Sequence, residues 1–174
     1  GGVTDDSGDG RLEVNRPATL HLVDPWAGEV SSGGVTAQGD ELHQLVLGRF
    51  QQKIEAGQVA VHRKTSAEAA QEFHDGHFDW VFLDANHGYA GMMQDLDAWF
   101  PKVKPGGYLT GHDYTNVKGY GVIQAVDEFR QTAPVHLVAL SGDEYASFVL
   151  RKRLAGEPQP VLRCSILSGT PLCH

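Results

Sequence analysis

The chain has 174 residues and a mass of 18.9 kDa, enough for one domain with a sizeable core and too little for two. Fourteen lysines and arginines against 22 aspartates and glutamates give a net charge of −8, which disfavours nucleic acid as a partner. No apolar run is long enough to cross a bilayer, so no membrane partner is predicted.

The two ends of the chain differ in composition from its middle. Residues 1–17 are rich in glycine and aspartate and are predicted to form a flexible N-terminal arm. Residues 18–153 are predicted to form the folded domain, and residues 154–174 a C-terminal tail. Cys164 and Cys173 lie in this tail without a CxxC spacing, and whether they pair is left open. Because no basic and apolar leader opens the chain, a cytoplasmic location is expected.

Strand and helix patterns alternate along the first part of the predicted domain. In chain order they are a buried strand over 19–23, a loop over 28–39, a helix capped by Asp40 and ended by Gly57, a strand over 59–62, and a helix over 66–73 capped by Ser66.

The second part continues the alternation and ends in a hairpin. In chain order it has a strand over 78–84, a helix over 90–100, a turn over 104–107, a strand over 108–111, a helix over 122–132, and two strands over 135–140 and 145–150. Alternation of this kind predicts an α/β fold, a Rossmann-like open sheet with helices on both faces and an antiparallel edge hairpin.

Acidic and histidine residues follow the predicted strands. Asp84 and His87 come after one strand, and His112 and Asp113 come after the next. In open α/β sheets the ligand site lies beyond the carboxyl ends of the strands, so both clusters are expected to face one crevice. Carboxylate and imidazole groups together suit Mg²⁺ or Mn²⁺. The alternative is structural, with Asp84 capping the next helix and His112 packed in a loop.

Several motifs resemble those of a known family. They are Leu22-Val23-Asp24-Pro25-Trp26, the run from Phe78 to Tyr89, Lys104-Pro105-Gly106-Gly107-Tyr108, and Gly111-His112-Asp113-Tyr114. Together they resemble class I S-adenosylmethionine-dependent methyltransferases, in the branch of the macrolide-sugar (macrocin-type) and catechol-type O-methyltransferases. The resemblance spans about residues 20–150.

This resemblance implies a role for each matching residue. Asp24 would hold the ribose of S-adenosylmethionine, Trp26 or its neighbours would pack beside the adenine, and Ser66 would meet the adenine edge. Asp84 would bind the divalent metal together with Asp113 or His112, which the register leaves open. His87 matches the general base of the sugar-methylating members.

The resemblance also implies an element that this sequence does not display. A first strand and a glycine-rich loop should precede the strand that ends at Asp24. Gly8-Asp9-Gly10 is the only glycine-rich stretch there, and it neither follows a predicted strand nor precedes a predicted helix. The sequence therefore predicts that the usual first strand and its loop are lacking.

The resulting expectation is metal-assisted O-methyl transfer from S-adenosylmethionine to a small hydroxylated acceptor, a sugar or a natural-product glycoside. Two alternatives stay open: a non-catalytic or truncated methyltransferase-like domain, and a metal-dependent hydrolase that uses the same aspartates and histidine to activate water. A homo-oligomer is also left open. Fold-level analogy does not by itself decide between them.

Overall fold

The computed structural model describes residues 18–32, 35–115, 117–142, 144–158, 164–167 and 170–173. The predicted arm over residues 1–17 lies outside this range, and so does the glycine-rich stretch at 8–10. The expectation about a missing first strand therefore stays a prediction.

Ten strands and four helices follow one another along these residues. In chain order they are β1 Leu20–Asp24, β2 Glu29–Ser32, β3 Val35–Gln38, α1 Gly39–Glu55, β4 Val59–Arg63, α2 Ser66–Ala70, β5 Phe78–Leu83, α3 Tyr89–Trp99, β6 Val103–Tyr114, α4 Val122–Thr132, β7 Val135–Leu140, β8 Ala146–Lys152, β9 Cys164–Leu167 and β10 Thr170–Cys173.

The caps of two helices lie one or two residues before the predicted caps. Gln38 caps α1, because its side chain and that of Glu41 form a reciprocal capping box, and Asp40 lies within the first turn. Thr65 caps α2 in the same way with Glu68, so Ser66 is the first helical residue. The capping box explains both errors, since the neighbouring polar residue supplies the acceptor for the third backbone N–H.

Three segments contain more strand than predicted. Residues 28–39, predicted as a loop, include the antiparallel hairpin β2–β3. Residues 104–107, predicted as a turn, belong to β6, where Gly106 has a φ of 80°. The predicted tail includes the hairpin β9–β10, in which the backbone of Cys164 faces that of Cys173. The side chains of these cysteines lie outside the described residues.

The main sheet has the strand order β5-β6-β8-β7. β5 and β6 are parallel, whereas β8 is antiparallel to β6 and β7 is antiparallel to β8. The predicted hairpin β7–β8 therefore closes one edge of the sheet. A second, parallel pair joins β1 to β4, with Asp24 opposite Arg63 at its carboxyl end.

The main sheet and the β1–β4 pair each have a buried core. The larger core lies where α3 and α4 cover the main sheet, and its fully buried members include Met92, Leu96, Val126 and Phe148. The smaller core lies where α1 covers the β1–β4 pair and contains Leu20, Trp26, Val46, Phe50 and Val59. Burial of these apolar faces fixes the helices and, with them, the loops that follow the strands.

A cluster of rings joins the two sheets, which share no ladder hydrogen bonds. His21 of β1 packs edge-on against Phe73 and Phe78, with ring centroids 5.0 and 5.5 Å apart. His77 lies 6.0 Å from the same imidazole. Side-chain packing, rather than backbone pairing, thus connects the β1–β4 pair to β5 among the described residues.

Candidate active site

The pairing of β5 with β6 brings two predicted site segments together. In this parallel pair Leu83 lies opposite Gly111. The next residues along each strand are Asp84 on one side and His112 and Asp113 on the other, so these polar side chains emerge at one edge of the sheet.

Asp113 has a backbone conformation that is uncommon for a residue other than glycine. Its φ is 58°, and the pairing of β6 with β8 is irregular between Gly111 and Tyr114. An irregularity of this kind redirects a side chain, and aspartate tolerates the left-handed region better than most residues. The carboxylate of Asp113 is consequently directed inwards, and the residue is only 6% exposed.

His87 reaches this edge from the loop between β5 and α3. The side chain of Asn86 accepts a hydrogen bond from the backbone N–H of Gly88 at 2.9 Å, which closes a turn before α3 begins. Nε2 of His87 lies 2.9 Å from Oδ2 of Asp113 and 3.4 Å from Oδ1 of Asp84. The imidazole is thus held between two carboxylates.

Asp84, His87 and Asp113 offer three ligand atoms within 4.8 Å of one another. Two carboxylates and one imidazole form a donor set that fits a hard or borderline divalent cation such as Mg²⁺ or Mn²⁺. His112 lies outside this group, although its Nδ1 is 3.4 Å from Oδ1 of Asp113. Of the two neighbours that the sequence could not separate, Asp113 has the position for a ligand beside Asp84.

An aromatic residue that the sequence did not single out lies against His87. The ring of Tyr120 stacks on the imidazole with centroids 5.1 Å apart and planes 8° from parallel. The charge of Asp113 raises the pKa of Tyr120, which keeps its hydroxyl protonated. No sequence pattern could have revealed this stack, because Tyr120 lies in a loop without periodicity.

The carboxyl end of β1 holds two of the predicted cofactor residues. The carboxylate of Asp24 accepts a hydrogen bond from the backbone N–H of Trp26 at 2.6 Å through Oδ1, while Oδ2 has no partner among the described residues. Trp26 is 3% exposed and has a φ of 42°. Its indole Nε1 is buried with no hydrogen-bond partner in the described part of the chain.

Arg63, at the end of β4, holds the loop that carries Trp26. One guanidinium nitrogen donates to the carbonyl oxygen of Trp26 at 3.1 Å, and Nε donates to that of Pro25 at 3.4 Å. The same side chain pairs with Asp40 at the start of α1. Arg63 is not among the predicted site residues, although its position directly after a predicted strand is a usable signal.

Ser66 has its hydroxyl occupied by neighbours from α3. Nε1 of Trp99 donates to Oγ of Ser66 at 2.8 Å. Asp95 of α3 is 5% exposed, and this burial raises its pKa. The hydroxyl oxygen of Ser66 is therefore engaged in packing between helices.

A family described as a methyltransferase domain matches residues 8–114, which is more than half of the chain. The chain belongs to this methyltransferase domain family. No curated protein sequence matches it. Membership does not favour the alternative of a metal-dependent hydrolase.

Solved structures share the fold of this methyltransferase domain. An O-methyltransferase family protein from Burkholderia thailandensis is 15% identical with a TM-score of 0.58, over 84% of this chain and 47% of that one. A protein from Corynebacterium glutamicum is 17% identical with a TM-score of 0.56, over 78% and 61% of the two chains. A SAM-dependent O-methyltransferase from Thermotoga maritima is 12% identical with a TM-score of 0.51, over 89% and 67%.

These likenesses confirm the predicted Rossmann-like α/β class. At such low identity they show the fold alone. The chain spans 61% of the Corynebacterium protein and 47% of the Burkholderia protein. Among the described residues, none of the helices combines the length and the apolar character needed to cross a membrane.

Proposed function

We propose that this methyltransferase domain transfers the methyl group of S-adenosylmethionine to a hydroxyl of a small molecule, with a divalent metal assisting. The observation that carries the proposal is the group formed by Asp84, His87 and Asp113 at the carboxyl ends of β5 and β6. Membership of the family supports the reaction class. A sugar or natural-product glycoside as acceptor, a homo-oligomer and a cytoplasmic location stay predictions from the sequence.

Asp84 and Asp113 would hold Mg²⁺ or Mn²⁺. Asp113 is preferred to His112 as the second ligand, because its buried carboxylate lies in the group with Asp84. Such a metal lowers the pKa of a bound hydroxyl and fixes its position. The net charge of −8 and these two acids together disfavour an anionic acceptor.

His87 would take the proton of the acceptor hydroxyl. Because a carboxylate only accepts hydrogen bonds, the 2.9 Å contact with Asp113 requires a proton on Nε2 of His87. In the neutral imidazole the lone pair then lies on Nδ1, which has no partner among the described residues. Nδ1 is therefore the proposed basic atom, and the carboxylate of Asp113 would stabilise the imidazolium that forms.

Asp24 and Trp26 would bind S-adenosylmethionine on the β1 side. The unpartnered Oδ2 of Asp24 suits ribose hydroxyls, which donate hydrogen bonds to it. The unpartnered, buried Nε1 of Trp26 is a donor that a bound polar group could satisfy. Ser66 would meet the adenine edge beside its existing hydrogen bond, since its hydroxyl oxygen already accepts from Nε1 of Trp99.

The test combines binding and transfer. Mn²⁺ binding is measured by electron paramagnetic resonance, S-adenosylmethionine binding by calorimetry, and transfer with labelled S-adenosylmethionine on a panel of sugars, glycosides and catechols. Asp84→Asn and Asp113→Asn should lose Mn²⁺ binding, whereas His112→Gln should keep it. His87→Gln should keep both ligands and lose about 10²–10⁴-fold in transfer. His74→Gln, a change of an exposed histidine, is the control.

A different outcome would contradict each proposed role. Unchanged turnover in His87→Gln would remove its role as base, and loss of Mn²⁺ binding in that variant would make it a metal ligand instead. Loss of Mn²⁺ binding in His112→Gln but not in Asp113→Asn would show that His112, and not Asp113, is the second ligand. Failure of S-adenosylmethionine to bind, together with no transfer to any acceptor, would contradict the function itself.

A further inference from the structure

The ring of Tyr120 stacks on one face of the His87 imidazole. The two rings are within 8° of parallel, and their centroids lie 5.1 Å apart. His87 is otherwise held through a single ring nitrogen, Nε2, which faces Asp113 and Asp84. A ring fixed at one atom can still rotate, because the outer torsion of histidine is broad. The face of Tyr120 blocks that rotation on one side.

The backbone fixes Tyr120 in this position. The N–H of Tyr120 donates to the carbonyl oxygen of Val117 at 3.0 Å, and the N–H of Gly121 donates to the carbonyl oxygen of His87 at 2.8 Å. Gly121 also lies against the start of α3, since an added Cβ there would be 2.3 Å from the backbone nitrogen of Tyr89. The segment that carries Tyr120 is thus tied to the residue on which Tyr120 stacks.

A second tyrosine provides a natural comparison. Tyr145, just before β8, lies edge-on to Tyr120 with centroids 6.3 Å apart and planes at 60°. It is 40% exposed, and among the ring contacts of the described residues it touches Tyr120 and not His87. Tyr145 therefore belongs to the same aromatic surface but lacks the stack.

We propose that Tyr120 is a positioning residue that holds the imidazole of His87 with Nε2 towards Asp113 and Nδ1 towards the acceptor. The inference rests on the proposed role of His87 as base. It requires the flat face of the Tyr120 ring and not its hydroxyl, so phenylalanine should replace tyrosine without loss. Misplacement of a reacting group by about 1 Å costs up to about 10²-fold in rate, which sets the size of the expected effect.

The experiment compares Tyr120→Phe, Tyr120→Leu and Tyr145→Leu in the full chain. The first readout is the proton NMR shift of the His87 ring, which a stacked aromatic ring displaces upfield. Tyr120→Phe and Tyr145→Leu should keep that displacement, and Tyr120→Leu should lose it while S-adenosylmethionine binding stays within about threefold. This readout is independent of turnover, so it separates the stack from the proposed function.

The second readout is the split between kcat and KM. Tyr120→Leu should lower kcat by about 10–100-fold with KM nearly unchanged, and adding His87→Gln should cause no loss beyond that of His87→Gln alone. Equal losses in Tyr120→Phe and Tyr120→Leu, a change in the acceptor KM alone, or additive losses with His87→Gln would each overturn the inference. If His87→Gln is fully active, the proposed function fails at His87 even where the stack is seen by NMR.

Discussion

The two parallel strand pairs of this domain end in different ways. Beyond β5 and β6, three side chains converge, two from the segment that follows β5 and one from β6, with ligand atoms within 4.8 Å of one another. Beyond β1 and β4, the polar side chains bind mainly to their own chain, as Asp24 does to the N–H of Trp26 and Arg63 to nearby carbonyl oxygens. The first end gathers reactive groups, whereas the second stabilises a loop.

Both ends nevertheless contain a residue in an uncommon conformation. Asp113 has a φ of 58° and Trp26 a φ of 42°, the only two positive values among non-glycine residues in the described part of the chain. Such conformations persist where the surroundings fix them, and they cluster at functional sites. At the end of each parallel strand pair, therefore, one predicted site residue is held in a strained backbone conformation, and different contacts hold it in the two places.

The largest effects on stability are expected at two glycines, one beside the β1–β4 pair and one beside the main sheet. An added Cβ at Gly39 would lie 2.2 Å from the carbonyl oxygen of Trp26, and one at Gly121 would lie 2.3 Å from the nitrogen of Tyr89. We expect Gly39→Ala and Gly121→Ala each to lower the free energy of unfolding by about 1–3 kcal/mol or more, because backbone atoms must move. Chemical denaturation measures this.

The two variants should also differ in ligand binding. Gly39→Ala should weaken S-adenosylmethionine binding more than Mn²⁺ binding, and Gly121→Ala should lower transfer more than cofactor binding. Gly48→Ala is the control in α1, since no atom lies within 4 Å of its added Cβ, and it should stabilise by about 0.5–1 kcal/mol. Equal stability of Gly39→Ala and Gly48→Ala would contradict the close approach.

The ring cluster around His21, which joins the β1–β4 pair to β5, predicts that the stability of the domain depends on pH. Nδ1 of His21 lies 2.9 Å from Nε2 of His62, whose Nδ1 is 3.4 Å from a carboxylate oxygen of Glu72. Lys64 also pairs with Glu72, and His74 with His77. Burial, followed by the charges of His62 and His77, lowers the pKa of His21 from its usual 6.5.

Because the pKa of His21 is lowered in the folded chain, the domain should lose stability as the pH falls. As pH falls, the unfolded chain binds the proton at position 21 before the folded chain does, so stability is full above pH 6.5 and decreases below it. His21→Phe keeps ring packing against Phe73 and Phe78 but cannot titrate. We expect its melting temperature to fall less than that of the unmodified chain between pH 7.5 and about 5.5. Parallel curves would contradict this.

The smallest effect is expected at Asp95, a buried acid of α3. Burial raises the pKa of this carboxyl above its usual value, because the ionised form loses hydration in the folded chain. Asp95→Asn removes the charge at nearly the same size and should change stability by no more than about 1 kcal/mol, in the stabilising direction. The difference should shrink as pH falls and Asp95 is protonated. A clear loss of stability at pH 7 would show that the charge is needed.

Much of the main sheet could be predicted from the sequence. The apolar run of β5 and the periodicity of α4 identified both elements within one residue, because burial of one face leaves a regular pattern. The caps and the β2–β3 hairpin were missed, since a capping box and a hairpin depend on contacts between particular side chains and turns. The position of Asp84, His87 and Asp113 at strand ends was also readable, but their distances were not.

The α/β class, the order of the central elements and the residue types at the strand ends can be predicted from the order of amino acids, because hydrophobic period and turn residues act locally. The inward turn of Asp113, the stack of Tyr120 on His87 and the hydrogen bond from Trp99 to Ser66 are seen only in the folded chain. These features arise from contacts between residues far apart in the chain. Such contacts depend on strand register and helix packing, which leave no local trace in the order of amino acids.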